Sequence, residues 1–229
     1  MKKGILLLIS LLMPVLVNAS VYSSEDLSMN IDDSKFAVFT RDNLDNNSLI
    51  EEYSIDKQTV LDEMVKKNIY IEGYENEDLI KGLQFVVTIK DSNTEGNLSD
   101  YPKSQILTKT KIFREASNVT DSGVLNSKGY SFVYRTYRSS GLNASHFYEY
   151  YTVINGKDYN IYFSKKGSDF TDEEKNSFND MIKTIKFNTK TSAFGGSIAY
   201  KLGYFTGALV VIVFFVVLVL KFIKPKKKN

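Results

Sequence analysis

The sequence predicts an α+β fold, an antiparallel β-sheet flanked by helices, followed by one C-terminal transmembrane helix. Three observations carry this expectation. Asn155-Gly156 sits between two alternating aromatic runs, the signature of a two-residue hairpin whose central residues both need positive φ. Thr171-Asp-Glu-Glu174 is a capping box, and Phe178, Met181, Ile182 and Ile185 behind it fall on one helical stripe. Residues 202–220 hold no charged side chain and are dominated by Val, Leu, Ile and Phe, enough for about 28 Å of helix.

The elements follow in chain order. Lys2 and Lys3 precede an apolar run that ends in Val17-Asn18-Ala19, the three parts of a secretory signal, so residues 1–19 are expected to be removed on export. Residues 20–34 read as a polar lead, and the exported domain spans 35–188. Residues 35–40 form a short strand, and the Asn- and Asp-rich stretch 42–48 a loop. Ser54 or Asp56 caps a helix reaching to about residue 68, with Val60, Leu61, Met64 and Val65 on one face. Residues 69–71 are a strand, and 83–90 a second in which Leu83, Phe85, Val87 and Ile89 alternate with polar positions. Pro102 opens a helix to Glu115. Strands at 130–137, 147–154 and 157–164 come next, then the capped helix.

The Asn-Gly turn sets a register. Ile154 faces Lys157, Thr152 faces Tyr159, Tyr150 faces Ile161 and Tyr148 faces Phe163, a nearly all-apolar face. On the other face Val153 meets Asp158, Tyr151 meets Asn160 and Glu149 meets Tyr162. A neighbouring strand adds Phe132 and Tyr134 to the first face and Arg135 and Tyr137 to the second. Helix 171–185 is expected over the first face. Exposed tyrosines beside charge suit a partner or a glycan, which makes Arg135, Tyr137, Glu149, Tyr151, Asn160 and Tyr162 the candidate binding residues; the competing expectation is that helix 102–115 covers them.

At the C-terminus a linker, 189–201, leads to the span, 202–223, and a basic tail, 224–229. The five lysines after residue 220, against Lys201 on the other flank, put the C-terminus in the cytoplasm and the domain outside, with the tail against anionic lipid. Ala199, Gly203 and Gly207 recur every fourth position, a ridge on which two membrane helices can approach, so self-association or docking to another membrane or envelope protein is expected there.

Composition excludes several classes. Of 29 basic residues, seven lie in the signal and tail and Lys201 at the membrane; the exported part keeps 21 against 27 acidic ones, a net of −6, so nucleic acid is not an expected partner. The absence of cysteine removes disulfides, thiolate catalysis, Cys-ligated metals and a lipoprotein anchor. With the Lys-, Asn- and Ile-rich composition it points to a bacterial surface. The single histidine, His146, has no G-x-S-x-G or comparable frame around it, so no catalytic residue is assigned. The acidic stretches at Asp42/Asp45 and 75–78 lack the spacing of a calcium loop, and neither a metal nor a cofactor is expected.

Residues 150–187, from "YYTVINGKDYNIYFSKKGSDF" through the acidic capped helix to the closing Ile-Lys-Phe, resemble the PsbP/Mog1-like family, with weaker support from "LDEMVKKNIYIEGY". The resemblance implies an antiparallel sheet with helices on both faces, in a family of binding and assembly factors with no shared catalytic centre. The expected role is a non-catalytic, membrane-anchored extracytoplasmic binding or accessory module. The alternatives are an envelope-directed hydrolase using carboxylate chemistry and a structural or sensory subunit of a membrane complex.

Overall fold

The computed structural model describes residues 19–188, apart from 25, 53, 78–81, 95 and 140–143. The expected signal up to residue 18, the linker, the span with Gly203 and Gly207, Ala199 and the basic tail lie outside the described residues. Among the described residues no helix is long and apolar enough to cross a membrane.

Two antiparallel sheets make up the framework. Strands β1 (Ala19–Ser23), β2 (Leu27–Asp32) and β10 (Lys186–Phe187) form a small sheet in the order β1-β2-β10. The large sheet has seven strands: β3 (Phe36–Thr40), β4 (Ile69–Glu75), β5 (Gln84–Asp91), β6 (Val119–Ser127), β7 (Tyr130–Arg138), β8 (Ser145–Ile154) and β9 (Lys157–Lys166). Their order is β3-β4-β5-β9-β8-β7-β6, every neighbour antiparallel. The helices are α1 (Ser48–Glu52), α2 (Lys57–Lys66), α3 (Lys103–Lys109), α4 (Lys111–Arg114) and α5 (Asp172–Thr184).

The β8–β9 hairpin turns on Asn155 and Gly156 at φ 51° and 75°, both in the left-handed region that the turn demands. Its register is the one the turn dictates, with Tyr150 opposite Ile161 and Glu149 opposite Tyr162. The first face is the main core. Phe178 of α5 stacks on Phe163 at 4.0 Å, and Phe187 of β10 meets the edges of Tyr130 and Tyr159 at 4.7 and 4.8 Å. Thr171 accepts from the Glu174 backbone and Glu174 accepts from that of Thr171, closing the capping box that starts α5. Tyr150, wholly buried, donates its hydroxyl to Asn179 Oδ1 on α5 at 2.8 Å, which keeps its one polar atom satisfied.

Three expectations need correction, and one strand was not expected. The lead, 20–34, is structured: β1 and β2 occupy it, and Leu27, Met29 and Ile31 are buried against the first face. These three alternate with Ser28, Asn30 and Asp32, a period-2 pattern diluted by its polar half. Strand β6, weakly patterned and at the edge of the sheet, was not among the expected elements. The helix from Pro102 to Glu115 breaks into α3 and α4 at Thr110, whose hydroxyl bonds back to the Ile106 carbonyl at 2.6 Å and competes with the helical ladder. On α2, capped by Asp56, Met64 is buried but Val65 is 52% exposed, because the helix turns it past the edge of its contact with the sheet.

Candidate functional site

The register of the large sheet lays out its second face in transverse rows. One runs Glu72, Val86, Tyr162, Glu149, Arg135 from β4 to β7; the next runs Tyr74, Gln84, Ser164, Phe147, Tyr137. A third holds Thr88, Asn160, Tyr151 and Val133. Neighbours in a row stand about 4.8 Å apart, the spacing between paired strands.

Helices cover this face from two sides. Around β3–β5, Leu44, Ile50 of α1 and Met64 of α2 pack on Phe39 and Ile69, with Tyr74 and Val86 partly buried against them. Around β7 and β8, Leu98, Tyr101 and Ile106 of α3 pack on Val133 and Val153, with Phe113 of α4 and Tyr151 alongside. Between the two covers lies a half-buried strip that includes Tyr137, Phe147, Asn160, Tyr162 and Ser164.

All six expected residues are on this face, but the covers divide them. Arg135 donates through Nε and Nη2 to Glu149 Oε2 at 2.8 and 2.7 Å and through Nη1 to the Phe113 carbonyl at 2.9 Å. Its guanidinium also lies over the Phe113 and Tyr137 rings at 4.1 and 4.8 Å. With side chains 19% and 11% exposed, the two charges compensate one another and the pair holds α4 to the sheet. Tyr151 packs on Phe113 at 5.5 Å and donates to Asp158 Oδ1 at 3.0 Å. Helix α4 therefore covers Arg135 and Tyr151, as the packing expectation held, while Tyr137, Asn160 and Tyr162 fall in the strip.

Glu72, Tyr74 and Phe147 also belong to this surface and were not among the candidates. Phe147 stacks on Tyr137 at 4.8 Å. Burial pushes the Glu72 carboxyl up, against smaller opposing effects from the Tyr74 hydroxyl and the Lys67 ammonium. Burial, with the Glu72 charge, pushes the Tyr74 phenol up to about 12. The Tyr162 phenol is raised first by burial and then by the charges of Glu149 and Glu72. The alternation within β4 was available in the sequence, but its alignment with β9 through β5 was not, because that pairing joins distant segments.

His146 belongs to the opposite face. It is 5% exposed, with Nδ1 2.5 Å from Asp169 Oδ1 and Nε2 buried without a hydrogen-bond partner among the described residues. It lines a cavity of about 380 Å³ with Thr120, Thr136, Phe147, Phe170 and Lys175. The Thr120 and Thr136 hydroxyls bond one another at 3.0 Å, and the adjacent Ser145 backbone donates to Ser139. Asp45 pairs with Lys57. Among the described residues no group of three or more His, Asp or Glu is placed to hold a metal ion.

No protein-family model matches the chain, and no curated protein matches it. Similar solved structures exist. The solution structure of cyanobacterial PsbP (CyanoP) from Synechocystis sp. PCC 6803 is similar at TM-score 0.42 and 12% identity over 76% of this chain and 96% of that one. A crystal structure from Bacteroides thetaiotaomicron is similar at TM-score 0.40 and 10% identity over 72% of this chain; the chain spans 46% of that structure. The Pseudomonas aeruginosa protein PA94, a protein of unknown function, is similar at TM-score 0.34 and 9% identity over 72% of this chain and 94% of that one. The antiparallel α+β architecture rests on the strand register and the core.

Proposed function

We propose that this chain is a membrane-anchored extracytoplasmic binding module of the cell envelope, without a catalytic centre. In this reading residues 1–19 direct export, 202–223 span the membrane and 224–229 lie against cytoplasmic lipid. The observation that carries the binding reading is the half-buried strip between the two helical covers. An aromatic surface with charge at its margins is favourable for a partner to desolvate, because rigid rings contribute area at low entropic cost. A photoreactive residue at Tyr162, in native membranes, should capture a discrete protein partner that the same residue at Glu173, exposed on α5, does not. Identical products from both positions would sink the reading.

Association through the span is the second part of the proposal, supported by the small-residue ridge in the sequence. Replacing Gly203 and Gly207 by Leu should reduce crosslinking between membrane helices; a yield equal to the parent's removes that role.

The cavity at His146 favours one further reading, a small-ligand site. Nδ1 faces Asp169, and the buried Nε2, without a partner among the described residues, is the atom that a polar group of a ligand would meet. The single histidine gives one imidazole Cε1–H NMR signal. That signal should move when N-acetylglucosamine is added, and an unmoved signal at saturating sugar excludes this ligand class.

A further inference from the structure

The strip differs in charge from end to end. Glu149 is neutralised by Arg135, whose Nε and Nη2 bind it while Nη1 holds the Phe113 carbonyl, so the charge at this end is already compensated. Glu72, at the other end of the same row, has no ion pair among the described residues. Lys67, whose charge reaches Glu72, is itself bound to Glu63 at 2.7 Å. A carboxylate withdrawn from water, compensated by a tyrosine hydroxyl and by a lysine already paired with Glu63, is costly to leave so, and an incoming cation recovers that cost.

The surroundings of Glu72 suit a particular cation. It shares a cavity of about 240 Å³ beneath α2 with the paired Glu63 and Lys67, with Val60, Met64 and Ile69 as apolar walls and Tyr74 beside the carboxylate. Apolar walls leading to a carboxylate match a side chain with a methylene stem and a charged head. The tyrosine faces of Tyr74 and Tyr162 add attraction for an ammonium or guanidinium. The whole exported part is net negative, which steers a basic partner towards it.

Resting on the reading of the second face as a binding surface, we propose that its partner is a basic, extended polypeptide segment. One lysine or arginine enters the cavity under α2 and pairs with Glu72, and the adjoining residues lie across Tyr162 towards Tyr137 and Phe147.

The test uses the full chain in detergent micelles and a fluorescent oligolysine peptide, with oligoglutamate of equal length as the counter-probe. Oligolysine should bind and oligoglutamate should not. Glu72→Gln and Tyr162→Ala should each weaken oligolysine binding by about tenfold or more, whereas Glu173→Gln, the same charge change on exposed α5, should leave it unaltered. Glu72→Gln should also melt no lower than the parent, since it removes a carboxylate whose charge burial opposes; this separates lost binding from lost folding. Equal weakening by Glu72→Gln and Glu173→Gln would reduce the effect to bulk charge and overturn the proposal. Parental affinity in Glu72→Gln, or equal binding of oligoglutamate, would do the same. If crosslinking from position 162 captures a partner whose yield Glu72→Gln does not change, the basic-segment inference fails while the binding surface stands.

Discussion

Gly73 offers the sharpest test of the packing described above. It lies on β4 directly opposite Phe85 of β5, and a Cβ placed there would come within 2.1 Å of Phe85 Cε1 and 2.5 Å of Cζ. Ordinary carbon contacts are about 3.5–4.0 Å, so the ring would have to move by about 1.5 Å. It has nowhere to go: Phe85 is wholly buried, meets Phe36 edge-on at 5.2 Å and lies 6.0 Å from Phe163. Overpacking of this kind costs about 1–3 kcal/mol, and the enclosed ring puts Gly73→Ala at the upper end. For a chain of this size that corresponds to a fall of about 4–12 °C in Tm.

Gly123 provides the comparison. A Cβ there would approach the Tyr134 ring at 2.6–2.8 Å, but Tyr134 is only half-buried and can swing aside. The reduced freedom of the unfolded chain, worth about 0.4–1 kcal/mol, offsets what remains, so Gly123→Ala should be close to neutral. Circular dichroism melts of the full chain in micelles read both. In a Phe85→Leu background Gly73→Ala should cost less than in the parent, by about 1 kcal/mol or more, since the two residues touch. A Gly73→Ala protein melting within about 1 °C of the parent, or equal losses at both glycines, would refute the close approach of β4 to the Phe85 ring.

Two other outcomes are expected. Glu149→Gln leaves the Arg135 guanidinium without its carboxylate beneath α4 and should cost about 1–3 kcal/mol in urea unfolding, a loss that Arg135→Met with Glu149→Met should partly restore. At Glu174 burial acts to raise the carboxyl, but the Lys165 ammonium at 2.7 Å and the Thr171 donors outweigh it and hold the group below its ordinary 4.5. Because the folded value is the depressed one, this stabilisation is complete above the unfolded value and disappears as the pH falls from about 4.5 through the folded value. Glu174→Gln should therefore show a shallower loss of urea midpoint in that acid range than the parent, and identical slopes would contradict the assignment.

Much of the α+β architecture is legible in the sequence wherever the interaction is local. Asn155-Gly156 needs no partner to define its turn, and once the turn is defined the pairing of Tyr148, Tyr150 and Glu149 follows by counting. The Thr171–Glu174 box is likewise contained within four residues, and the stripe behind it follows from helical period. The candidate surface was only partly legible. Tyr137, Asn160 and Tyr162 could be placed on one face by register, whereas Glu72 and Tyr74 join them only because β5 brings β4 beside β9.

The chain's own residues determine the hairpin, the capped helix, the two-faced character of the central strands and the absence of any cysteine chemistry. Each of these depends on backbone preference, on periodicity or on composition, all of which act within a short stretch. Tertiary structure decided the rest: that residues 20–34 complete the core, that α4 covers Arg135 and Tyr151, and that Glu72, on the same row as Tyr162, has no ion pair among the described residues. Those outcomes depend on which distant segments share a sheet and on how much of each face the helices reach, and burial and charge compensation are settled only when the segments meet.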